Sequence, residues 1–351
     1  MPINLRGKKV LVMIPPFYSL HKQIIKAMED EGAIVSYIPD VCQKHNPYYA
    51  NASLKSLKKK YYALFKPNER YIQRFENILR NNWDIFFCID GYSFSSEILT
   101  KLRKNKGFIS VLYLWDSLNF YDFRQNFKYF DIIYTFDPID AKEYKIKYLP
   151  LYWTSKQNDK NSNIQDIDIS FVGTFHTDRF VVLTKIAEYC KSHHIKYSFN
   201  LVINGTETPN LDWIRYNWYK NKNNPEAIGF VQEYLLKKGM IKSDIVRFSP
   251  INANDVKELT NRSKCIIDIV KPNQHGCTNR MIEALGNHKK VITTMQINES
   301  FPLTEKNILY IDRNNPLIDR DFIEKPFDPN DFEQFPLDML NINNWIKTIL
   351  S

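Results

Sequence analysis

The feature that most restricts this chain is a recurrence of short, almost unbroken apolar runs, each followed by a polar or helix-like stretch. Lys8–Pro16 (KKVLVMIPP), Trp83–Gly91 (WDIFFCIDG), Phe108–Ser117 (FISVLYLWDS) and Asp131–Pro138 (DIIYTFDP) all have this form. A strand with one wet face alternates apolar and polar residues. A continuous run instead predicts a strand covered on both faces, as in a parallel sheet. Helix-like segments separate the runs: Ser19–Glu31, stopped by Gly32 and followed by the strand AIVSYIP, then SSEILTKLRKNKG and YDFRQNFKYF. Strands alternating with helices predict a doubly wound α/β domain.

The pattern stops at TSKQNDKNSNIQD, which is polar and aperiodic and is expected to be a linker. It then restarts. IDISFVGTF predicts a strand entering a glycine turn, RFVVLTKIAEYCKSHH a helix, and YSFNLVING a strand. DIVRFSP and KCIIDIV are expected as strands around the helix ANDVKELTNRS, KVITT and NILYID as further strands, and LNINNWIKTIL as a last amphipathic helix. The expected organisation is a Rossmann-like domain over 1–153, a linker over 154–166, a second Rossmann-like domain over 167–335, and a C-terminal helix over 336–351 that packs back across the domains. A chain of 351 residues has the length for both. Two such domains facing each other across a cleft offer a small-ligand site.

Charge and cysteine usage narrow the partners. The net charge of +9, from 48 basic and 39 acidic residues, suits an anionic partner without selecting one. No nucleic-acid module is recognisable, so no nucleic-acid partner is expected. The five cysteines are scattered with no Cys-x-x-Cys, which argues against a disulfide framework or zinc cluster. No apolar run is long enough to span a bilayer, and Met1–Lys9 lacks a signal-peptide layout, so a cytoplasmic location is expected. Residues 53–80 carry apolar side chains at helical spacing amid Lys and Arg, with Pro67 as a break. This basic insertion is either a solvated pair of helices or a surface for peripheral contact with the anionic inner membrane or a lipid-linked acceptor.

In open α/β sheets, ligands lie beyond the carboxyl ends of the strands. In the first half those positions hold Asp90, Asp116 and Asp137. Asp90 and Asp116 are each either a general base or the cap of a following helix; for Asp137 the following proline favours the start of a turn. In the second half they hold Gly173-Thr174, Asn204 and the stretch Lys271–Glu283. Gly173 and Gly276 permit close backbone approach. Cys277 lies in the loop, and Thr278 is a good N-cap within reach of a phosphate. Asn279 opens a helix whose N-terminus attracts anions. Arg280 offers a planar fork to diphosphate oxygens, with Lys271 as added charge. Glu283, one turn on, can accept from a ribose diol. The alternative is a capped amphipathic helix with surface charges.

These residues carry a resemblance. TNRMIEALGNHKKVITT resembles the C-terminal-domain motif of GT-B glycosyltransferases, in which two Glu residues lie eight positions apart in many retaining members. Glu283-Ala284 matches the second position, which in that family binds the ribose of the nucleotide sugar. The first position falls on His275, where the family has a Glu that contacts the donor sugar. DISFVGTFHTDR is similar to the start of the donor domain in bacterial polysaccharide and spore-coat (CgeB-like) glycosyltransferases, where the Gly lines the nucleotide diphosphate. The resemblance implies the GT-B fold and transfer from a nucleotide diphosphate sugar to a glycan or lipid-linked acceptor in cell-surface polysaccharide biosynthesis, such as capsule or lipopolysaccharide. No cofactor or metal is expected. Arg280, the helix N-terminus and Lys271 carry the leaving-group charge, and DID at Asp166–Asp168 precedes a strand instead of following one. Asp90 or Asp116 is the expected base if the reaction inverts, and none is needed if it retains. Two rivals are a non-catalytic two-domain α/β small-molecule or nucleotide-binding protein and an NAD enzyme. The second needs a Gly-x-Gly-x-x-Gly after the first strand, where this chain has IPPFYS.

Overall fold

The computed structural model describes residues 4–16, 20–40, 81–91, 100, 104, 107–154, 164–175, 177–203, 225–296, 306–332 and 337–350. The basic insertion over 53–80 and Asn204 lie outside the described residues. The elements in chain order are β1 (Lys9–Ile14), α1 (Leu20–Asp30), β2 (Ile34–Pro39), β3 (Ile85–Ile89), β4 (Ile109–Leu114), β5 (Ile132–Thr135), α2 (Pro138–Tyr144) and β6 (Lys147–Tyr148). They continue with β7 (Ile167–Thr174), α3 (Thr177–Ser192), β8 (Tyr197–Val202), α4 (Pro225–Lys237), β9 (Val246–Arg247), α5 (Ala253–Arg262) and β10 (Ser263–Asp268). Last come α6 (Asn279–Gly286), β11 (Lys290–Thr293), β12 (Ile308–Tyr310), α7 (Arg320–Glu324) and α8 (Ile342–Ile349).

The chain divides into two compact units: Met1–Tyr152 with His275–Cys277 and Asp338–Ser351, and Trp153–Gln274 with Thr278–Leu337. In the first unit six strands run parallel in the order β2-β1-β3-β4-β5-β6. The continuous apolar runs explain this arrangement: β3 is buried at every position, and β1 and β4 at all but the first. α1 buries Ile24, Ala27 and Met28, the spacing of one helical face. α8 returns to this unit and buries Trp345 completely, against Phe87, Tyr113 and Tyr152, with its Nε1 donating to Pro150 O at 2.9 Å.

The second unit holds six parallel strands in the order β12-β11-β10-β7-β8-β9. Both units are therefore doubly wound parallel α/β sheets, the expected fold class. α5 is capped by Asn252, whose side chain accepts from Asp255 N, as the segment ANDVKELTNRS predicts. Two local expectations are corrected. YDFRQNFKYF forms a short 3-10 helix, Arg124–Tyr129, in place of an α-helix. Phe123 and Phe130 are buried at its two ends with Phe127 packed beside them, so the aromatic anchors pin one short turn to the core. DIVRFSP contributes only the two-residue β9. Among the described residues no helix is long and apolar enough to cross a membrane.

Candidate functional site

In the second unit β7 and β10 are neighbours in the sheet, yet the chain leaves them in opposite directions. β7 leads through α3 to β8 on one side, and β10 leads through α6 to β11 on the other. This reversal makes the carboxyl ends of β7 and β10 a topological switch point, the place where doubly wound sheets bind ligands. Asp268, the last residue of β10, is fully buried there. Its Oδ1 takes an ion pair from Arg280 Nη1 at 3.0 Å and a hydrogen bond from Thr278 Oγ1 at 2.8 Å. Its Oδ2 accepts from Thr293 Oγ1 at 3.3 Å. Arg280 also donates from Nη2 to Val172 O at 3.0 Å and lies 4.6 Å above the Phe171 ring.

Gly173 sits under that guanidinium. A Cβ at Gly173 would lie 2.8 Å from Arg280 Nη2 and 2.8 Å from Phe171 Cζ. The space expected for a ligand beside Gly173 is thus filled by Arg280, and the glycine is what admits the arginine. Thr174 follows at the end of β7, and its carbonyl accepts from Arg179 Nη1 at 3.2 Å.

Arg179 and Arg313 complete the group, and neither was singled out in the sequence. Arg179, in the first turn of α3, also donates from Nε to Ile269 O at 3.2 Å. Burial pulls its guanidinium down to about 10, and the neighbouring Arg280 adds to the effect. Arg313 pairs with Asp178 and donates to Val270 O and Thr294 Oγ1. Three guanidiniums thus gather about two carboxylates, Asp178 and Asp268, at the strand ends. The surplus positive charge on these partly buried guanidiniums favours an anion. Only the position of Arg179 within DISFVGTFHTDR, just past the strand-turn, could have signalled it.

The loop before α6 divides between the units. Lys271 opens a turn closed by Gln274 N donating to Lys271 O at 3.1 Å, with Asn273 in the left-handed region at φ +62°. Thr278 N-caps α6, accepting from Met281 N at 3.1 Å. Its hydroxyl proton goes to Asp268, so the hydroxyl is committed inside the unit and is not free to donate to a phosphate. Asn279 begins the helix. His275, Gly276 and Cys277 belong to the first unit. A Cβ at Gly276 would stand 2.5 Å from the Phe136 ring and 2.7 Å from Phe136 O, so that glycine admits Phe136 where a ligand was expected. Cys277 is buried at 2% exposure. The Tyr148 phenol is pushed up by burial first, then by the Cys277 thiol and Asp137.

Glu283, expected to face a ribose, is held by Thr154. Thr154 N donates to Oε2 at 2.9 Å and Thr154 Oγ1 to Oε1 at 2.8 Å, with Asn287 Nδ2 at 3.3 Å from Oε1. Burial raises the Glu283 carboxyl, and the donors from Thr154 and Asn287 oppose the rise. One position upstream of Thr154, the Trp153 ring lies against Gly286, where a Cβ would be 2.2 Å from the indole.

The first unit places Asp90 and Asp116 at adjoining strand ends. Asp90 is fully buried in the left-handed region at φ +57° and accepts from Trp115 N at 3.0 Å on Oδ1. Burial pushes its carboxyl well up, and Asp116 and then Asp40 add to this. Asp137 does not join them. It caps α2, accepting from Ile139 N at 2.9 Å. Among the described residues no group of three or more His, Cys, Asp or Glu could hold a metal ion.

No protein-family model matches the chain, and no curated protein matches it. Several solved structures are similar. The lipopolysaccharide outer core galactosyltransferase WaaB in its apo form is 14% identical at a TM-score of 0.46, over 97% of this chain and 99% of the other. Arabidopsis thaliana UGT89C1 complexed with UDP-L-rhamnose is 10% identical at 0.48, over 99% and 100%. A putative UDP-N-acetylglucosamine 2-epimerase from Listeria monocytogenes is 10% identical at 0.47, over 98% and 94%. At these values the likeness carries no functional weight, and the function rests on the site geometry.

Proposed function

We propose that this chain is a glycosyltransferase of the GT-B type, which binds a nucleotide diphosphate sugar at the carboxyl ends of β7 and β10 and transfers the sugar to a hydroxyl acceptor. The observation that carries this reading is the group Arg179, Arg280 and Arg313 at the topological switch point, one positive charge in excess of Asp178 and Asp268. A diphosphate leaving group gains negative charge as the anomeric carbon–oxygen bond breaks. Fixed guanidiniums stabilise that charge without reorganising, and their planar forks match phosphate oxygens. The N-terminus of α6 adds its dipole, and Lys271 adds charge beside it.

Glu283 retains acceptor capacity for a ribose hydroxyl, because a carboxylate offers about four lone-pair sites and Thr154 and Asn287 use three. In the motif, His275 stands at the position where the family has the Glu that contacts the donor sugar. Thr174, at the end of β7, and Asn279, at the start of α6, border the donor site. If the reaction inverts, Asp90 or Asp116 takes the acceptor proton. A glycan or lipid-linked acceptor at the cytoplasmic face of the inner membrane, in cell-surface polysaccharide biosynthesis, suits the basic insertion over 53–80.

The test is calorimetric binding of UDP, GDP, ADP and CMP to the wild type and to Arg179→Ala and Glu283→Ala. We expect one nucleoside diphosphate to bind and both variants to weaken it by about 1–3 kcal/mol. Binding of none, or unchanged binding in both variants, overturns the assignment. Release of nucleoside diphosphate from the matching nucleotide sugar then separates an enzyme from a non-catalytic binding protein.

A further inference from the structure

Glu283, Gly286 and Asn287 lie three and four positions apart at the end of α6, so they share one face of that helix. Glu283 is partly exposed there, within reach of a ligand hydroxyl, whereas Gly286 is buried. Trp153 covers the glycine. A Cβ at Gly286 would stand 2.2 Å from Cγ, 2.3 Å from Cδ2 and 2.7 Å from Cδ1 of the indole, so the ring rests directly on the helix backbone. The indole Nε1 donates to Leu337 O at 2.7 Å. Trp153 is thus fixed at two points, and the next residue, Thr154, places both of its donors on Glu283. Trp153 and Leu337 both belong to the second unit, each directly beside a place where the chain crosses from one unit to the other, Tyr152–Trp153 and Leu337–Asp338. Two bonds from one threonine orient a carboxylate only as well as the threonine itself is held, and here Trp153 does the holding.

We propose that Trp153 is a positioning residue for ribose recognition: seated on Gly286 and bonded to Leu337 O, it holds Thr154 against Glu283 and so sets how strongly that carboxylate distinguishes a nucleotide with ribose hydroxyls from one without them. The ribose rests on the glycosyltransferase reading of Glu283; the holding of Glu283 through Trp153 and Thr154 does not. A carboxylate left free to turn must be ordered when the ligand arrives, and that cost is taken from its hydrogen bonds to the ribose. The diphosphate is bound elsewhere. Arg179, Arg280 and Arg313 are fixed by other partners and share no hydrogen bond with Trp153, so loosening the indole weakens the ribose contact and spares the charge contacts.

The test is calorimetric titration of the full-length wild type and Trp153→Phe with the nucleoside diphosphate that binds and with its 2′,3′-dideoxy form. Trp153→Phe keeps a ring over Gly286 and removes the N–H that reaches Leu337. We expect the wild type to favour the ribonucleotide by about 10- to 100-fold, the worth of a hydrogen bond to a charged group. Trp153→Phe should lose at least about threefold of that preference while its affinity for the dideoxy form stays the same. An unchanged preference overturns the inference, and so does equal weakening of both ligands, which would make the indole a support of the fold alone. A wild type that binds both forms equally overturns the ribose assignment. Gly286→Ala pushes the indole off from the helix side and should give the same loss of preference, so it decides the point if Trp153→Phe does not fold. A double-mutant cycle in urea needs no ligand. Trp153→Phe and Glu283→Gln should couple by about threefold or more in the unfolding equilibrium, and additive effects overturn the holding of Glu283. If no nucleoside diphosphate binds, the glycosyltransferase reading fails while the cycle still decides whether Trp153 holds Glu283.

Discussion

Thr154 holds Glu283 with both of its hydrogen-bond donors, the backbone N–H on Oε2 at 2.9 Å and the hydroxyl on Oε1 at 2.8 Å. Thr154 is the first residue of the stretch that composition marks as a linker, and Glu283 is the residue that the motif resemblance assigns to a ribose. The carboxylate is therefore oriented before any ligand arrives. A group positioned this way loses less entropy when a ligand hydroxyl joins it.

Thr154→Val removes the hydroxyl and leaves the N–H. The lost bond is to a charged, largely buried group, so the cost is about 1.5–3 kcal/mol by urea denaturation. Glu283→Gln in a double-mutant cycle should show most of that as coupling. The pH dependence has a definite sign. Burial raises the folded-state value of Glu283 above 4.5, so its contribution is present below that value and is lost as pH rises through the folded value. Thr154→Val removes a donor that opposes the rise, so its stability should fall further below wild type as pH increases. A gap between the two proteins that is constant with pH counts against the bond.

Gly173→Ala places a methyl group 2.8 Å from Arg280 Nη2 and 2.8 Å from the Phe171 ring. The guanidinium cannot simply swing aside, because Asp268 and Val172 O hold it. We expect a loss of about 1–3 kcal/mol, typical of overpacking. Nucleoside diphosphate affinity should fall as well. A variant as stable and as tightly binding as wild type refutes the close approach.

Arg280→Met removes the guanidinium that ion-pairs with the fully buried Asp268 at 3.0 Å. Breaking one side of a buried pair costs about 3–5 kcal/mol. Arg280→Lys should recover only part of this, since an ammonium cannot reach Asp268 Oδ1 and Val172 O together as the planar fork does. Denaturation midpoints of the two variants decide the point. Equal loss in both would mean that the fork geometry is irrelevant.

The strands were the most readable part of the sequence. KVLVMI, IFFCI and ISVLYL are apolar enough to demand burial on both faces, and they form β1, β3 and β4. Thr278 as the cap of α6 was equally readable, because capping is local. The pairings within the site were not. That Gly173 makes room for Arg280, Gly276 for Phe136 and Gly286 for Trp153 depends on residues far away in the chain, and a glycine alone does not announce what fills the space beside it. Arg179 was passed over for a similar reason. A basic residue near the start of a helix looks like surface charge until the fold brings Arg280 and Arg313 beside it.

Lys289 and Lys290 are consecutive buried lysines, and each closes the end of a different helix. Lys289 Nζ donates to Asn261 O at 2.6 Å and Ser263 O at 2.8 Å, at the end of α5. Lys290 Nζ donates to Phe322 O, Ile323 O and Lys325 O, at the end of α7, and lies 4.7 Å above the Phe322 ring. The last carbonyls of a helix lack internal partners and carry its negative dipole end, so a cation there replaces both water and charge. Lys290→Met leaves those carbonyls buried and should cost about 1–3 kcal/mol. Burial also lowers the Lys290 ammonium below 10.5. The unfolded chain therefore binds more protons than the folded one between the lowered value and 10.5, and stability rises with pH across that window. Wild type should gain on Lys290→Met as the solution is made alkaline through it. Parallel stability curves for the two proteins would show that the Lys290 amine does not lose its proton on burial.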